Sequence, residues 1–199
     1  MSETPPATAP RWDDALLGAA LLAVAPAYLG GIHLKAMPGP VRDVWLERLR
    51  ALLPAGTPVR RIPLHASESS LLGGLDLAAT LRAGRPVAQR GLLAESAGGV
   101  VLLAMAERAR RAALAHIGAV MDFSEVVLER DGLAARERAE IGVVALDESA
   151  VDDEAIGGVL QDRLALVIDL RPFGIRDVDD GDLDAATVET SRRRLASIR

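Results

Sequence analysis

The stretch Gly31-Ile32-His33-Leu34-Lys35-Ala36-Met37-Pro38-Gly39-Pro40-Val41-Arg42-Asp43-Val44-Trp45 begins as an apolar run, breaks at Pro38-Gly39-Pro40 and resumes as a helical pattern. Gly31–Leu34 reads as a short strand buried on both faces. After the break, Val41, Val44, Trp45, Leu49, Leu52 and Leu53 share one face of a helix, with Arg42, Glu47, Arg48 and Arg50 off it. Pro54 and Gly56 end that helix. Apolar runs of the strand type recur at Val59–Leu64, Gly99–Leu103, Ile141–Leu146 and Leu164–Leu170. Helical patterns lie between them. Strands alternating with helices predict an α/β domain built on a mainly parallel, five-stranded sheet.

Upstream, Ala15–Ile32 runs 18 residues without a charge, the length at which a membrane span is considered. Asp13 and Asp14 at its front, Pro26 within it and Gly30-Gly31 near its end argue against a span. It reads instead as a buried helix from about Trp12 to Val24, then a turn at Pro26–Gly31. Met1–Pro10, rich in Pro, Ala and Thr, is expected to be a disordered lead. Downstream, Met105, Ala109, Ala112, Ala113, His116 and Val120 form a second helical stripe, with Glu107 and Arg111 spaced to pair on its solvent side. Val126–Arg130 and Ala134–Arg138 flank Asp131-Gly132, a hairpin signal. Arg176–Asp184 turns acidic and reads as a linker, followed by a helix over about Asp184–Ile198 that carries Arg192, Arg193 and Arg194. The expected organisation is a lead over 1–10, a core domain over 11–175, and a linker with the start of a C-terminal helix over 176–199.

The chain has 199 residues, with 23 basic against 28 acidic side chains, a net charge of −5. That balance argues against a nucleic-acid binder, which would show a basic stripe. The absence of Cys excludes a disulfide framework, a Cys-ligated zinc site, an iron–sulfur cluster and a thiol nucleophile, and is compatible with the cytosol. His33, His65 and His116 lack metal-ligand spacing. Ser67, Ser69 and Ser70 lack the context of a hydrolase nucleophile. Asp152-Asp153-Glu154 reads as a solvated helix start, and Asp147-Glu148 as a solvated loop after a strand.

Strand, glycine-containing loop and helix are the setting of a phosphate-binding loop, whose backbone N–H groups and helix N-terminus cradle phosphates. That chemistry needs G-x-x-x-x-G-K-[ST]. Aligned on Ala36–Asp43, Ala36 and Val41 stand in place of the two glycines, Arg42 in place of the lysine and Asp43 in place of the magnesium-binding hydroxyl. Val41 puts a branched Cβ where backbone must approach phosphate, and Asp43 puts a negative charge beside it. Gly39, Arg42 and Asp43 are what remains of a candidate nucleotide site.

The next segments carry a resemblance. Ile62-Pro63-Leu64 through Glu68 to Gly73-Gly74-Leu75-Asp76 looks like the "LPL…TED…GxxD" stretch of the magnesium-chelatase AAA+ subunits. Arg90-Gly91-Leu92-Leu93-Ala94-Glu95-Ser96-Ala97-Gly98-Gly99 is similar to their "PGLLAxAxxGxLYIDE". Val127-Leu128-Glu129-Arg130-Asp131-Gly132-Leu133 resembles "VxREGxS", and Leu160-Gln161-Asp162-Arg163-Leu164 resembles "LLDRFGL". These four segments stand in order within residues 11–170.

The resemblance implies an AAA+ P-loop-type fold with a β-hairpin insertion. The departures point to the D-subunit type, in which that module is degenerate. The family's catalytic Asp-Glu pair falls on Ala104-Met105, so neither the magnesium-holding nor the water-polarising carboxylate is present. The D type also continues into a helical lid and an integrin-I-like domain with a D-x-S-x-S metal motif. Here Asp122-Phe123-Ser124-Glu125-Val126 comes nearest and fails, so the chain is expected to be an N-terminal part with the lid largely absent.

The implied function is a platform that does not hydrolyse ATP, within the complex that inserts Mg²⁺ into protoporphyrin IX during bacteriochlorophyll synthesis. No cofactor is expected in this chain, Mg·ATP being held by a partner I subunit. The other implied partner is the porphyrin-binding H subunit. Arg163 falls at the place of the AAA+ arginine finger, acting in trans, with Asp162 beside it to orient the guanidinium or to pair across the interface. The alternatives are a MoxR-like AAA+ ATPase that still turns over ATP, and a pseudo-ATPase scaffold with unrelated partners.

Overall fold

The computed structural model describes residues 11–130, 133–149, 155–179 and 184–197. The expected lead over 1–10, the Asp131-Gly132 turn, Asp152–Glu154 and part of the acidic run lie outside them. Helix α1 (Trp12–Val24) and a single turn, α2 (Pro26–Leu29), precede strand β1 (Gly31–Lys35). Helix α3 (Pro40–Leu52) and strand β2 (Val59–Ile62) follow. An excursion then runs through α4 (Glu68–Leu72), β3 (Gly73–Leu75), α5 (Leu77–Ala83), β4 (Ala88–Arg90) and α6 (Leu92–Glu95) to strand β5 (Gly99–Leu103). Helix α7 (Arg111–Phe123) leads into the hairpin β6 (Glu125–Arg130) and β7 (Leu133–Arg138). The chain then forms β8 (Ile141–Asp147), α8 (Gly158–Gln161), β9 (Leu166–Asp169) and α9 (Ala185–Ser197).

The sheet runs β2-β5-β8-β1-β9, and each of its neighbouring pairs is parallel. Every expected apolar run lies in it. β5 and β8 are buried along their whole length, because helices cover both faces. One face packs Leu34, Leu102, Val144 and Leu146 against α1 and α3. The other packs Val101, Leu103, Val143 and Ala145 against Leu114 and Ile117 of α7 and Leu160 of α8. The chain goes from β1 to β2 at the far edge and returns through β5 and β8, with β9 on the other side of β1. β1 and β8 therefore meet at a point where the order reverses, and sheets of this kind hold ligands beyond the carboxyl ends of such strands.

Two antiparallel excursions leave the sheet. The β6–β7 hairpin was expected from its sequence, whereas the β3–β4 ribbon enclosing α5 was not. Helix α9 lies against α1 and α3: Val188 is buried, and the Arg192 guanidinium donates to the Ala23 carbonyl at the end of α1 at 2.7 Å. Cations suit a helix C-terminus, where carbonyls have no helical partner. Among the described residues, no helix is long and apolar enough to cross a membrane.

One expected helix starts late. The stripe beginning at Met105 does not form an α-helix until Arg111. Met105 is left-handed (φ 49°), and a 3₁₀ turn covers Ala106–Arg108. The expected surface pair of Glu107 with Arg111 is absent, because the Glu107 side chain is fully buried. The helical spacing continued across a sharp turn that sequence periodicity does not register.

Trp45 ties the first layer together. It is fully buried in α3, and its indole N–H donates to the Ala15 carbonyl of α1 at 2.8 Å. Replacing Trp45 by Ala leaves a large cavity and removes the indole bond between α3 and α1, and should cost about 3–5 kcal/mol. Urea unfolding followed by far-UV circular dichroism should show the midpoint fall; an unchanged midpoint would mean that α1 is not held this way.

Candidate functional site: a closed phosphate loop

The loop after β1 leaves the sheet at the point where the strand order reverses. Its start is pinned by main-chain bonds: the Ala36 N–H donates to the Asp147 carbonyl, and the Leu170 N–H to that of Lys35, both at 2.9 Å. Residues 36–39 turn the chain into α3, with Gly39 at the N-cap. Gly39 is extended (φ 160°), and nothing lies within 4 Å of where a Cβ would sit. It therefore gives the loop no close approach that only glycine allows. Pro40 opens the helix in the position where a missing N–H costs nothing. The loop, Leu170, Arg171 and Phe173 enclose about 230 Å³, below the ~300–1,000 Å³ of ordinary small-molecule sites.

Arg42 and Asp43 separate at the first turn of α3. Asp43 is exposed. Arg42 turns inward, and its Nη1 donates to Glu148 Oε1 at 2.7 Å, with the two side chains only 8% and 12% exposed. Glu148 is thus not a solvated loop residue; it follows β8 and reaches across the gap to α3. Its own N–H donates to Glu107 Oε2 at 3.2 Å, so a second buried carboxylate fixes its backbone. The cation at the lysine position is neutralised by a carboxylate of the same chain. Arg42 Nε and Glu107 Oε1 are buried without a hydrogen-bond partner among the described residues, although Arg108 Nε lies 3.6 Å from Glu107 Oε1.

Beneath this pair lies another. His33 Nε2 is 2.6 Å from Asp147 Oδ2, both side chains being buried. Asp147 belongs to β8 and not to a solvated loop. Burial alone would raise its carboxyl, but bonds from the Ser149 hydroxyl and N–H and from His33 outweigh it and hold the group below its ordinary value. On the other side, Arg171 makes a forked contact to Asp169 (2.7 Å from Nη2 to Oδ2) beside the loop.

The carboxylates that would drive hydrolysis are missing in space as well as in sequence. At the end of β5, Ala104 is buried and Met105 is left-handed. Glu107, three residues beyond Ala104, is occupied in holding Glu148. The donor set does not fit a magnesium–triphosphate: there is no hydroxyl at Asp43, no free cation at Arg42 and no acid at 104–105.

Arg163 lies at the other end of the sheet, before β9. Its carbonyl packs against Gly30, 2.4 Å from where a Cβ would stand, and Gly30 takes a left-handed φ of 78°. The side chain crosses Gly118 of α7. There it forms a two-pronged pair with Asp122, 2.8 Å from Nε and 2.5 Å from Nη2, and Nη1 also donates to the Val159 carbonyl. The bond from Arg163 holds the Asp122 carboxyl below its usual range. Asp162, the expected orienting acid, is exposed and acts on Arg163 through charge alone. The orienting acid is Asp122, 41 residues away in sequence. The length of β1 separates Arg163 from its own loop by about 15 Å, so the structure does not bring the two expected sites together. Glu107 and Asp122 went unrecognised as partners, and no local motif marks either role.

No protein-family model matches the chain. It is 38% identical over 187 residues to the magnesium-chelatase 60 kDa subunit of Cereibacter sphaeroides, covering 94% of this chain and 30% of that protein. It is 33% identical over 152 residues to the magnesium-chelatase 67 kDa subunit of Chlorobaculum parvum, covering 76% of this chain and 24% of that protein. It therefore spans less than a third of the length of these curated relatives. Among solved structures, it superposes with a TM-score of 0.64 on a chain from the complex between subunits BchI and BchD of magnesium chelatase, at 23% identity, covering 94% of this chain and 70% of that one. On an AAA+ fold, and over the part that it spans, the chain is a homologue of the 60 and 67 kDa subunits of magnesium chelatase, the D-subunit type.

Proposed function

We propose that this chain is the AAA+ platform of a magnesium-chelatase D subunit and does not itself hydrolyse ATP. It would support an ATP-hydrolysing I subunit that, with the porphyrin-binding H subunit, inserts Mg²⁺ into protoporphyrin IX on the route to bacteriochlorophyll in the cytoplasm. The observation that carries this reading is the state of the phosphate site: the loop cation is neutralised internally by Glu148, and the catalytic carboxylate positions hold Ala104 and Met105. Kinship to the 60 and 67 kDa subunits supplies the chelatase context.

In this reading the chain contributes through its opposite end. A guanidinium placed at a γ-phosphate stabilises the charge that develops as the bond to the leaving phosphate breaks. Arg163 cannot serve its own loop; in the proposed ring it would act on the loop of a neighbouring subunit. Its pair with Asp122 keeps the planar guanidinium aimed until a phosphate competes for it. Mg·ATP is held by the partner.

The purified chain should release no phosphate from Mg·ATP above a buffer blank, since loss of each transition-state stabiliser costs about 10²–10³-fold. Turnover that survives a second purification would support the MoxR-like alternative instead. For the finger, Arg163→Ala in the assembled chelatase should leave assembly largely intact, because its pair with Asp122 is partly exposed and screened by solvent. Magnesium insertion, or ATP turnover by the mixed ring, should fall by about a hundredfold or more. Full activity from Arg163→Ala would remove the residue from the mechanism.

A further inference from the structure

We propose that Glu148 is the resident anion of the loop site: a tethered carboxylate that holds the place of a phosphate, and whose charge excludes one. Arg42 stands in the first turn of a 13-residue helix, where a phosphate-binding cation belongs. Glu148 directly follows β8, the strand beside β1, so it approaches the point where the order reverses from the opposite side. The carboxylate reaches the guanidinium at 2.7 Å, a short charge-assisted bond, with both side chains about nine-tenths buried.

Two further features mark the site as built. The backbone of Glu148 is fixed from behind, its N–H bonded to the buried Glu107 carboxylate, which sets the point from which the side chain reaches Arg42. Arg42 is not saturated: its Nε is buried and meets no protein acceptor among the described residues. A guanidinium with donors to spare, facing one carboxylate oxygen, keeps the capacity to hold a larger oxyanion. What prevents this is charge, because a phosphate would have to enter beside the Glu148 carboxylate, and like charges brought together out of water cost heavily. The exclusion is a property of Glu148 and not of the missing lysine.

This deepens the reading of the chain as a non-hydrolysing subunit, and rests on it, but its test is separate. Pyrophosphate is the probe, because it reports occupancy and not turnover. Wild type, Glu148→Gln, Glu148→Ser and an Arg42→Met/Glu148→Met double variant are titrated by calorimetry, and each is checked for folding by circular dichroism. Glu148→Gln keeps the volume and loses the charge; Glu148→Ser provides the same reading in a smaller side chain. The single variants should bind pyrophosphate at least about tenfold more tightly than wild type, with a larger pyrophosphate-induced rise in melting temperature over each variant's own ligand-free value, and the double variant should lose the gain. A folded single variant that binds no better than wild type overturns the proposal. So does a gain that survives without Arg42, or wild type that binds pyrophosphate at micromolar concentrations. ATP turnover by wild type would sink the platform reading and leave this comparison standing.

Discussion

The buried pair between Arg42 and Glu148 is the constraint around which the site is arranged. Taking two charges out of water is costly, and such a pair is tolerated only when each satisfies the other. Removing one partner leaves a buried charge uncompensated, at a cost of about 3–5 kcal/mol. The pair therefore fixes the loop end of α3 against the end of β8. Glu107, from the 3₁₀ turn that precedes α7, holds the Glu148 backbone in turn. A loop that in a working nucleotide site would wait for phosphate is closed by the chain's own side chains.

The sheet beneath makes that closure rigid. β1 and β8 are paired along the whole of β1, from Gly31 with Val143 to Lys35 with Asp147. His33 and Asp147 add a buried polar contact across the same seam. The same parallel strands carry Arg163 to the opposite end, anchored by Asp122. A parallel sheet keeps its two ends apart, so the proposed loss of chemistry at the loop would leave the arginine at the other end in place.

The sequence showed the frame and missed the partnerships. Apolar runs such as Ile141–Leu146 are long, continuous and flanked by helical patterns, so each was legible as a buried strand. The loop's defects at Ala36, Val41, Asp43, Ala104 and Met105 were legible because a motif specifies what should stand there. Glu148 was misread as solvated because an Asp-Glu dipeptide after a strand gives no hint of a guanidinium 106 residues earlier. Glu107 was misread because its helical spacing continues through a turn. Asp122 was noticed only as part of a metal motif that fails. Each miss is a long-range polar contact, set by tertiary packing and not by local pattern.

The measurement that bears most directly on this account is a crystal structure of the chain grown with magnesium and a non-hydrolysable ATP analogue. The account predicts Arg42 and Glu148 still in hydrogen-bond contact, with no nucleotide density over residues 36–43. Density for a triphosphate between Arg42 and Glu148, with the two side chains parted, would contradict it.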